Sequence, residues 1–206
     1  MKTNQKLINH LVEIGALKMP EIIEAFLKID RKFFVPKDLL TSVYEDYPLP
    51  IGYGATISQP YTVAFMMELL RPKKGEKILD VGSGSGWTTA LLSQIVGEKG
   101  QVFGIEIVPE LVEFGRKNLK KYNLKNTQIL RAGHVLGLPS RALFDKILAS
   151  ASALKIPKEF LAQLASPGIL VMPIERSIWK IEKGKKGKMT QEEFPGFSFV
   201  PLKYIV

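Results

Sequence analysis

Two rhythms of apolar and polar positions divide the chain. Residues 4 to 16 and 20 to 29, the second stretch opened by Pro20, carry the spacing of amphipathic helices. The next thirty residues, RKFFVPKDLLTSVYEDYPLPIGYGATISQP, are dense in proline, glycine and aromatics and show no clear period. They are too apolar for a linker, and so long a stretch without regular structure in a compact protein is usually functional.

From Pro60 onward helix and strand signals alternate. YTVAFMMELL, WTTALLSQIV, PELVEFGRKNLKKY and PKEFLAQLA read as helices, while KILDV, QVFGIEI, TQILRA, FDKILAS and GILVMPI read as short apolar strands. SIWKIEKG, KMTQEEF and FSFVPLKYI follow as final strands. Apolar strands separated by helices demand a parallel sheet buried on both faces. The predicted fold class is α/β: a doubly wound, mostly parallel, Rossmann-like sheet with helices on both faces and an N-terminal helical extension. Ligands bind such sheets beyond the carboxyl ends of the strands, where strand order reverses.

Composition narrows the chemistry. With 206 residues, 46% hydrophobic and 24% charged, the chain can build one large core, so a single domain over 1–206 is expected. Residues 1–60 would supply the helices and a covering segment, and residues 61–206 the α/β core. There is no cysteine, which removes disulfides, thiolate nucleophiles and Cys-ligated metals. His10 and His134 lie far apart without metal-ligand spacing, so no metal is expected. The N-terminus lacks the apolar core of a secretory signal, and no stretch approaches the ~20 apolar residues of a membrane span. A cytoplasmic monomer without membrane contact is the natural expectation.

The net charge of +9 raises a nucleic-acid partner, since clustered cations gain from counterion release. Five of those cations, Lys180, Lys183, Lys185, Lys186 and Lys188, surround Gly184 and Gly187 in what reads as a solvated hairpin. Charge alone is therefore weak evidence, and nucleic acid is not the expected partner.

The most informative segment is Asp80-Val81-Gly82-Ser83-Gly84-Ser85-Gly86, between a strand and a helix. Its glycines permit a tight turn and close approach of a ligand to backbone. The third glycine arrives one residue earlier than in the dinucleotide fingerprint, which aims a helix N-terminus at a pyrophosphate. Asp80 at the strand end repels phosphate and suits a cation such as the amino and sulfonium groups of S-adenosyl-L-methionine. Glu106, ending the next strand, can accept ribose hydroxyls. Asp80 as a turn cap and Glu106 as a plain strand end are the structural alternatives. Together the two carboxylates favour a nucleoside-bearing ligand without a diphosphate.

LDVGSGSG followed by GIE resembles the cofactor loops of class I S-adenosylmethionine-dependent methyltransferases. FFVP at 33–36, YEDYPLPIG at 44–52, ATISQP at 55–60, AQLASPGILVMPI at 162–174 and FVPL at 199–202 resemble the protein-L-isoaspartate O-methyltransferase family in particular. The resemblance implies a cofactor site made by Thr56, Ile57, Ser58 and Gln59 with Asp80, Gly82, Ser83, Gly84, Gly86, Glu106, Ile107, Gly133 and His134. It implies a substrate site at Ile57, Ser58, Val200 and Leu202, with Ser58 as the catalytic residue donating to the acceptor carboxylate. Ser58 as a cap for the helix starting near Pro60 is the alternative, and for Val200 and Leu202 a plain core strand.

Methyl transfer to a free carboxylate suits this composition. The acceptor, with an ordinary pKa near ~3.9, is already ionised at neutral pH, so no general base is required. Two departures stand out: Gly133-His134-Val135 replaces the family's Gly-Asp-Gly, and Pro173–Trp179 is shorter than the usual loop and lacks its glycine and glutamine. The implied function is S-adenosylmethionine-dependent methylation of L-isoaspartyl residues in damaged proteins and peptides, a repair reaction. The alternatives are a nucleic-acid methyltransferase on the same fold and a divergent S-adenosylmethionine-binding protein that has lost activity. Ala149-Ser150-Ala151-Ser152 stands where methyltransferases of exocyclic base amines carry an Asn- or Asp-Pro-Pro-aromatic motif, which counts against amine chemistry and leaves other base positions open.

Overall fold

The computed structural model describes residues 1–203. Helices α1 (Asn4–Glu13) and α2 (Pro20–Lys28) come first, the former capped by Thr3, whose hydroxyl accepts from the Lys6 amide. The segment read as irregular contains 3-10 turns at Arg31–Phe34 and Lys37–Ser42, then an antiparallel hairpin of β1 (Leu49–Gly52) and β2 (Ala55–Ile57). Gly52, Tyr53 and Gly54 all have positive φ, which turns the chain within so short a loop. The strands are too brief for their alternation to register as a period.

Beyond it come α3 (Pro60–Leu70), β3 (Lys77–Val81), α4 (Trp87–Val96), β4 (Gln101–Glu106), α5 (Pro109–Lys120), β5 (Thr127–Arg131) and β6 (Phe144–Ala149). Then α6 (Lys158–Gln163), β7 (Leu164–Ile174), β8 (Ser177–Lys183) and β9 (Met189–Pro195) complete the regular elements. The large sheet has the order β5-β4-β3-β6-β7-β8-β9. Neighbours from β5 to β7 are parallel, and β8 and β9 add antiparallel edges. The chain moves outward from β3 through β4 to β5, then returns to place β6 on the other side of β3, so strand order reverses at β3.

Alternate residues of each strand enter two cores, as the pleat requires. Ile78, Val102, Leu148 and Val171 join the core that also holds buried side chains of α1 to α5. Leu79, Phe103, Ile147 and Leu170 join the other, which is closed by Phe160 of α6 and by loop residues such as Leu136, Leu138 and Ile156. Helical cover is therefore unequal. One face carries five helices, and the other carries the six-residue α6 together with the loop that follows β5.

Two expectations need correction. FSFVPLKYI does not form a continuous strand within the described residues: Pro201 makes one parallel bridge with Ser152, and a residue lacking an N–H cannot extend the ladder. Tyr204 and Ile205 of that stretch lie outside the described residues. The expected hairpin forms between β8 and β9, but not all five of its lysines are solvated. Lys180 is buried beside Glu182, and Lys183 donates to the carbonyls of Leu161 and Leu164, leaving Lys185, Lys186 and Lys188 exposed at the turn.

Candidate active site

A cavity of about 690 Å³ opens where strand order reverses, beyond the carboxyl ends of β3 to β6. Four turns meet there: Gly82–Ser85 after β3, Glu106–Val108 after β4, Ala132–Gly137 after β5 and Ser150–Ala151 after β6. The β1–β2 hairpin and its extension, Tyr53–Gln59, form one wall, and Gly196–Lys203 forms another. Every residue assigned from sequence to cofactor or substrate lines this space except Asp80 and Gly86.

Those two lie beneath the glycine loop. Asp80 is fully buried, with Oδ2 accepting from the Thr89 hydroxyl at 2.6 Å and Oδ1 lacking a hydrogen-bond partner. Gly86 caps α4 at φ 84°, and a Cβ there would come within 3.0 Å of Ile129 and 3.3 Å of Gly115. Gly115 in turn lies under the loop, where a Cβ would be 3.1 Å from the Gly84 carbonyl. The loop is thus seated on a glycine of α5, a requirement with no visible spacing in sequence.

Its amides face inward. Those of Gly82 and Ser83 both donate to the Ile105 carbonyl, and that of Gly86 donates to Ser83. Glu106 joins this loop to the next: Oε2 accepts from the Gly84 amide at 2.9 Å, while Oε1 accepts from Ile107 and Val108, in the turn after β4, at 2.8 and 3.0 Å. A carboxylate offers about four lone pairs, so one remains on Oε2 for a ligand hydroxyl. Amides engaged in this way form no phosphate cradle.

Burial pushes the Asp80 carboxyl up to about 7; the Thr89 hydrogen bond opposes that shift and the nearby Glu106 charge adds to it. Between pH 4 and 7 the unfolded chain holds fewer protons at this position than the folded one. Wild-type stability should fall through that window at up to ~1.4 kcal/mol per pH unit and level off above pH 7. Asp80→Asn should flatten the slope and melt higher than wild type at pH 8, a comparison made by thermal denaturation at pH 4, 6 and 8. The same variant should bind a cationic ligand more weakly, having lost the charge beneath the loop.

The wall that carries Ser58 is held by one buried cation. Arg31 is inaccessible to solvent and donates to the carbonyls of Val43, Glu45, Tyr47 and Ser58 at 2.7 to 3.3 Å. Its guanidinium lies 5.5 Å from the ring centre of Trp87, the first residue of α4, which itself lines the cavity. Desolvation lowers its pKa to about 10, still far above neutrality. Ser58 does not cap α3. Gln59 occupies that position without a side-chain cap, and Asp46 accepts from the Tyr61 amide at 2.8 Å.

His134 is exposed on the loop after β5, and that loop is fixed from α6. The Gln163 amide accepts from Leu138 and donates to Leu136, and a Cβ on Gly137 would lie 2.4 Å from its Oε1. At the opposite wall, the Val200 carbonyl accepts from Ser152 and the Leu202 amide donates back to Ser152, both at 2.8 Å. Those groups of Val200 and Leu202 are therefore committed to the fold. Arg31, Asp46 and Gln163 are ordinary polar residues in sequence, and only the folded chain gathers backbone groups around them.

The cavity fits S-adenosylmethionine on its own features. Its volume lies in the range of cofactor pockets, Glu106 offers a free lone pair, and Ser83 Oγ is buried without a partner among the described residues. Carboxylates below and beside the loop suit a sulfonium cation. Among the described residues no group of histidine and acidic side chains could hold a metal ion, and no helix is long and apolar enough to cross a membrane.

Comparison with known proteins extends to nearly the whole chain. The family profile described as protein-L-isoaspartate(D-aspartate) O-methyltransferase matches residues 2–204. A protein-L-isoaspartate O-methyltransferase of Ignicoccus hospitalis is 40% identical over 203 residues, covering 96% of both chains. One from Fervidobacterium nodosum is 40% identical over 200 residues, covering 96% of this chain and all of its own. A Plasmodium falciparum chain described as a protein-L-isoaspartate O-methyltransferase, solved with S-adenosyl-L-homocysteine, superposes with a TM-score of 0.85 at 27% identity, covering 98% of both chains.

Proposed function

The chain belongs to the protein-L-isoaspartate(D-aspartate) O-methyltransferase family, and from that premise we propose how its cavity methylates the free carboxylate of L-isoaspartyl residues in proteins. The observation that carries the proposal is the meeting of three segments around one space: the Thr56–Gln59 turn, the glycine loop with Glu106, and the extended Val200–Leu202 segment. All come from one chain, so a single copy suffices. Residues 1–60 would act as the cover and residues 61–206 as the cofactor-binding core.

Gly82–Gly86, Glu106, Ile107, Gly133 and His134 would hold S-adenosylmethionine, and Asp80 would favour its positive charge from beneath. When bound, that cofactor supplies an electrophilic methyl group. Ser58 would donate a hydrogen bond to the isoaspartyl carboxylate and fix its orientation for attack. Arg31 fixes the Ser58 backbone, so that this donor is in place before substrate arrives. The wall formed by Tyr53–Gln59 excludes water, which strengthens the attraction between the carboxylate and the cationic donor. No side chain has to remove a proton.

Ser58→Ala should reduce kcat/KM for an isoaspartyl peptide about tenfold, the effect of one lost hydrogen bond to a charged group, and leave cofactor affinity unchanged. The function is tested by offering methyl-labelled cofactor to an isoaspartyl peptide and to RNA in parallel. Label in the peptide as a base-labile ester is the expected result. Label in RNA alone would overturn the proposal.

A further inference from the structure

Beside the cavity, on the outer side of the first turns of α3, lies a second depression of about 450 Å³. Tyr61 and Phe65, four apart on α3, meet Phe194 at the end of β9 and Phe197 just beyond it. Phe65 stacks on Phe197 at 5.2 Å and meets Phe194 edge-on at 5.4 Å, while Tyr61 stacks on both Phe65 and Phe197 at 6.2 and 6.5 Å. All four rings are half-buried, so each keeps an edge or face towards solvent. Gln59, Gly196 and Phe197 line both the depression and the main cavity, so the two adjoin. Among the described residues no charged side chain lines the depression.

We propose that this aromatic groove is a substrate subsite, taking a large apolar or aromatic side chain that flanks the isoaspartyl residue. The proposal rests on the isoaspartyl function. Consecutive Cα atoms are 3.8 Å apart, which puts Tyr61 within about 11 Å of Ser58. An extended peptide advances ~3.3 Å per residue, so the groove lies within reach of the second or third residue from the one being methylated. The main cavity fixes the damaged residue, and the groove adds preference by sequence context without taking part in the chemistry.

Isoaspartyl peptides carrying Phe, Ala or Glu at one of the three positions on either side supply the test. At one flank position Phe should lower KM about ten- to hundredfold relative to Ala, the scale expected from burying a phenyl ring, with kcat unchanged. Phe194→Lys should abolish that advantage and favour the Glu peptide, and Phe65→Leu should reduce it, both leaving the Ala peptide and cofactor affinity at wild-type values. Flat KM values across the series, or a Phe preference that persists in Phe194→Lys, would overturn the subsite. So would flat KM values with a dimer, seen by sedimentation, that Phe194→Lys dissociates, since the groove would then join two copies. Failure to methylate any isoaspartyl peptide would instead overturn the function on which the subsite rests.

Discussion

Replacing Arg31 with methionine should lower the melting temperature by about 10 °C and cut isoaspartyl methylation by more than the loss of folded protein explains. The side chain serves four carbonyls at once, in a site with no solvent to take its place. Leaving buried acceptors unpaired costs ~1–3 kcal/mol each where water cannot reach them, so a total of about 3–5 kcal/mol is expected after relaxation. For a chain of this size each kcal/mol is worth roughly 2–4 °C. The kinetic loss has a separate origin. Val43, Glu45 and Tyr47 precede the β1–β2 hairpin and Ser58 follows it, so without the cation both ends of the hairpin can drift from the cavity. Arg31→Lys keeps the charge but has three donors and no planar fork, and should fall between the two. Melting curves with steady-state kinetics below the transition distinguish the effects. Kinetics unchanged once corrected for folded fraction would show that Arg31 has no role in positioning Ser58.

The second large effect is expected at Glu106. Glu106→Ala removes the acceptor for three amides, two of them at the turn after β4 and one in the glycine loop. It also removes the lone pair assigned to the ribose. With loop order and a charge-assisted hydrogen bond both lost, cofactor affinity should fall about a hundredfold by titration calorimetry. Stability should change little, because the side chain borders the cavity and water can replace it. An affinity within threefold of wild type would sink the ribose assignment.

Much of this was legible before any coordinates. The alternation after Pro60 defined a parallel sheet, and the Gly82–Gly86 run beside Glu106 marked the ligand end of it, because backbone freedom and strand-tip carboxylates leave local signatures. The ATISQP and FVPL stretches, singled out by resemblance, line the same cavity. What stayed hidden depends on distant parts of the chain meeting. Arg31 is one of many cations until carbonyls from residues 43 to 58 close around it. Asp80 reads as a ligand for a cation, yet it is buried against Thr89 and lies below the loop. Gly115 is needed because the Ile129 side chain and the Gly84 carbonyl press against it, and Gly137 because of its positive φ and the Gln163 amide beside it. The terminal FSFV segment has the β-propensity of a strand, but Pro201 limits it to one bridge.

The most direct measurement is the specificity constant for an isoaspartyl peptide beside that of a peptide identical except for a normal aspartyl residue. On the proposed assignment the cavity takes one carboxylate at Ser58, and the isoaspartyl linkage places the free carboxylate one methylene closer to the backbone than an aspartyl side chain does. A preference of more than about a hundredfold for the isoaspartyl peptide is expected, together with formation of a base-labile methyl ester. Equal rates on the two peptides, or transfer to neither in the presence of bound cofactor, would contradict it.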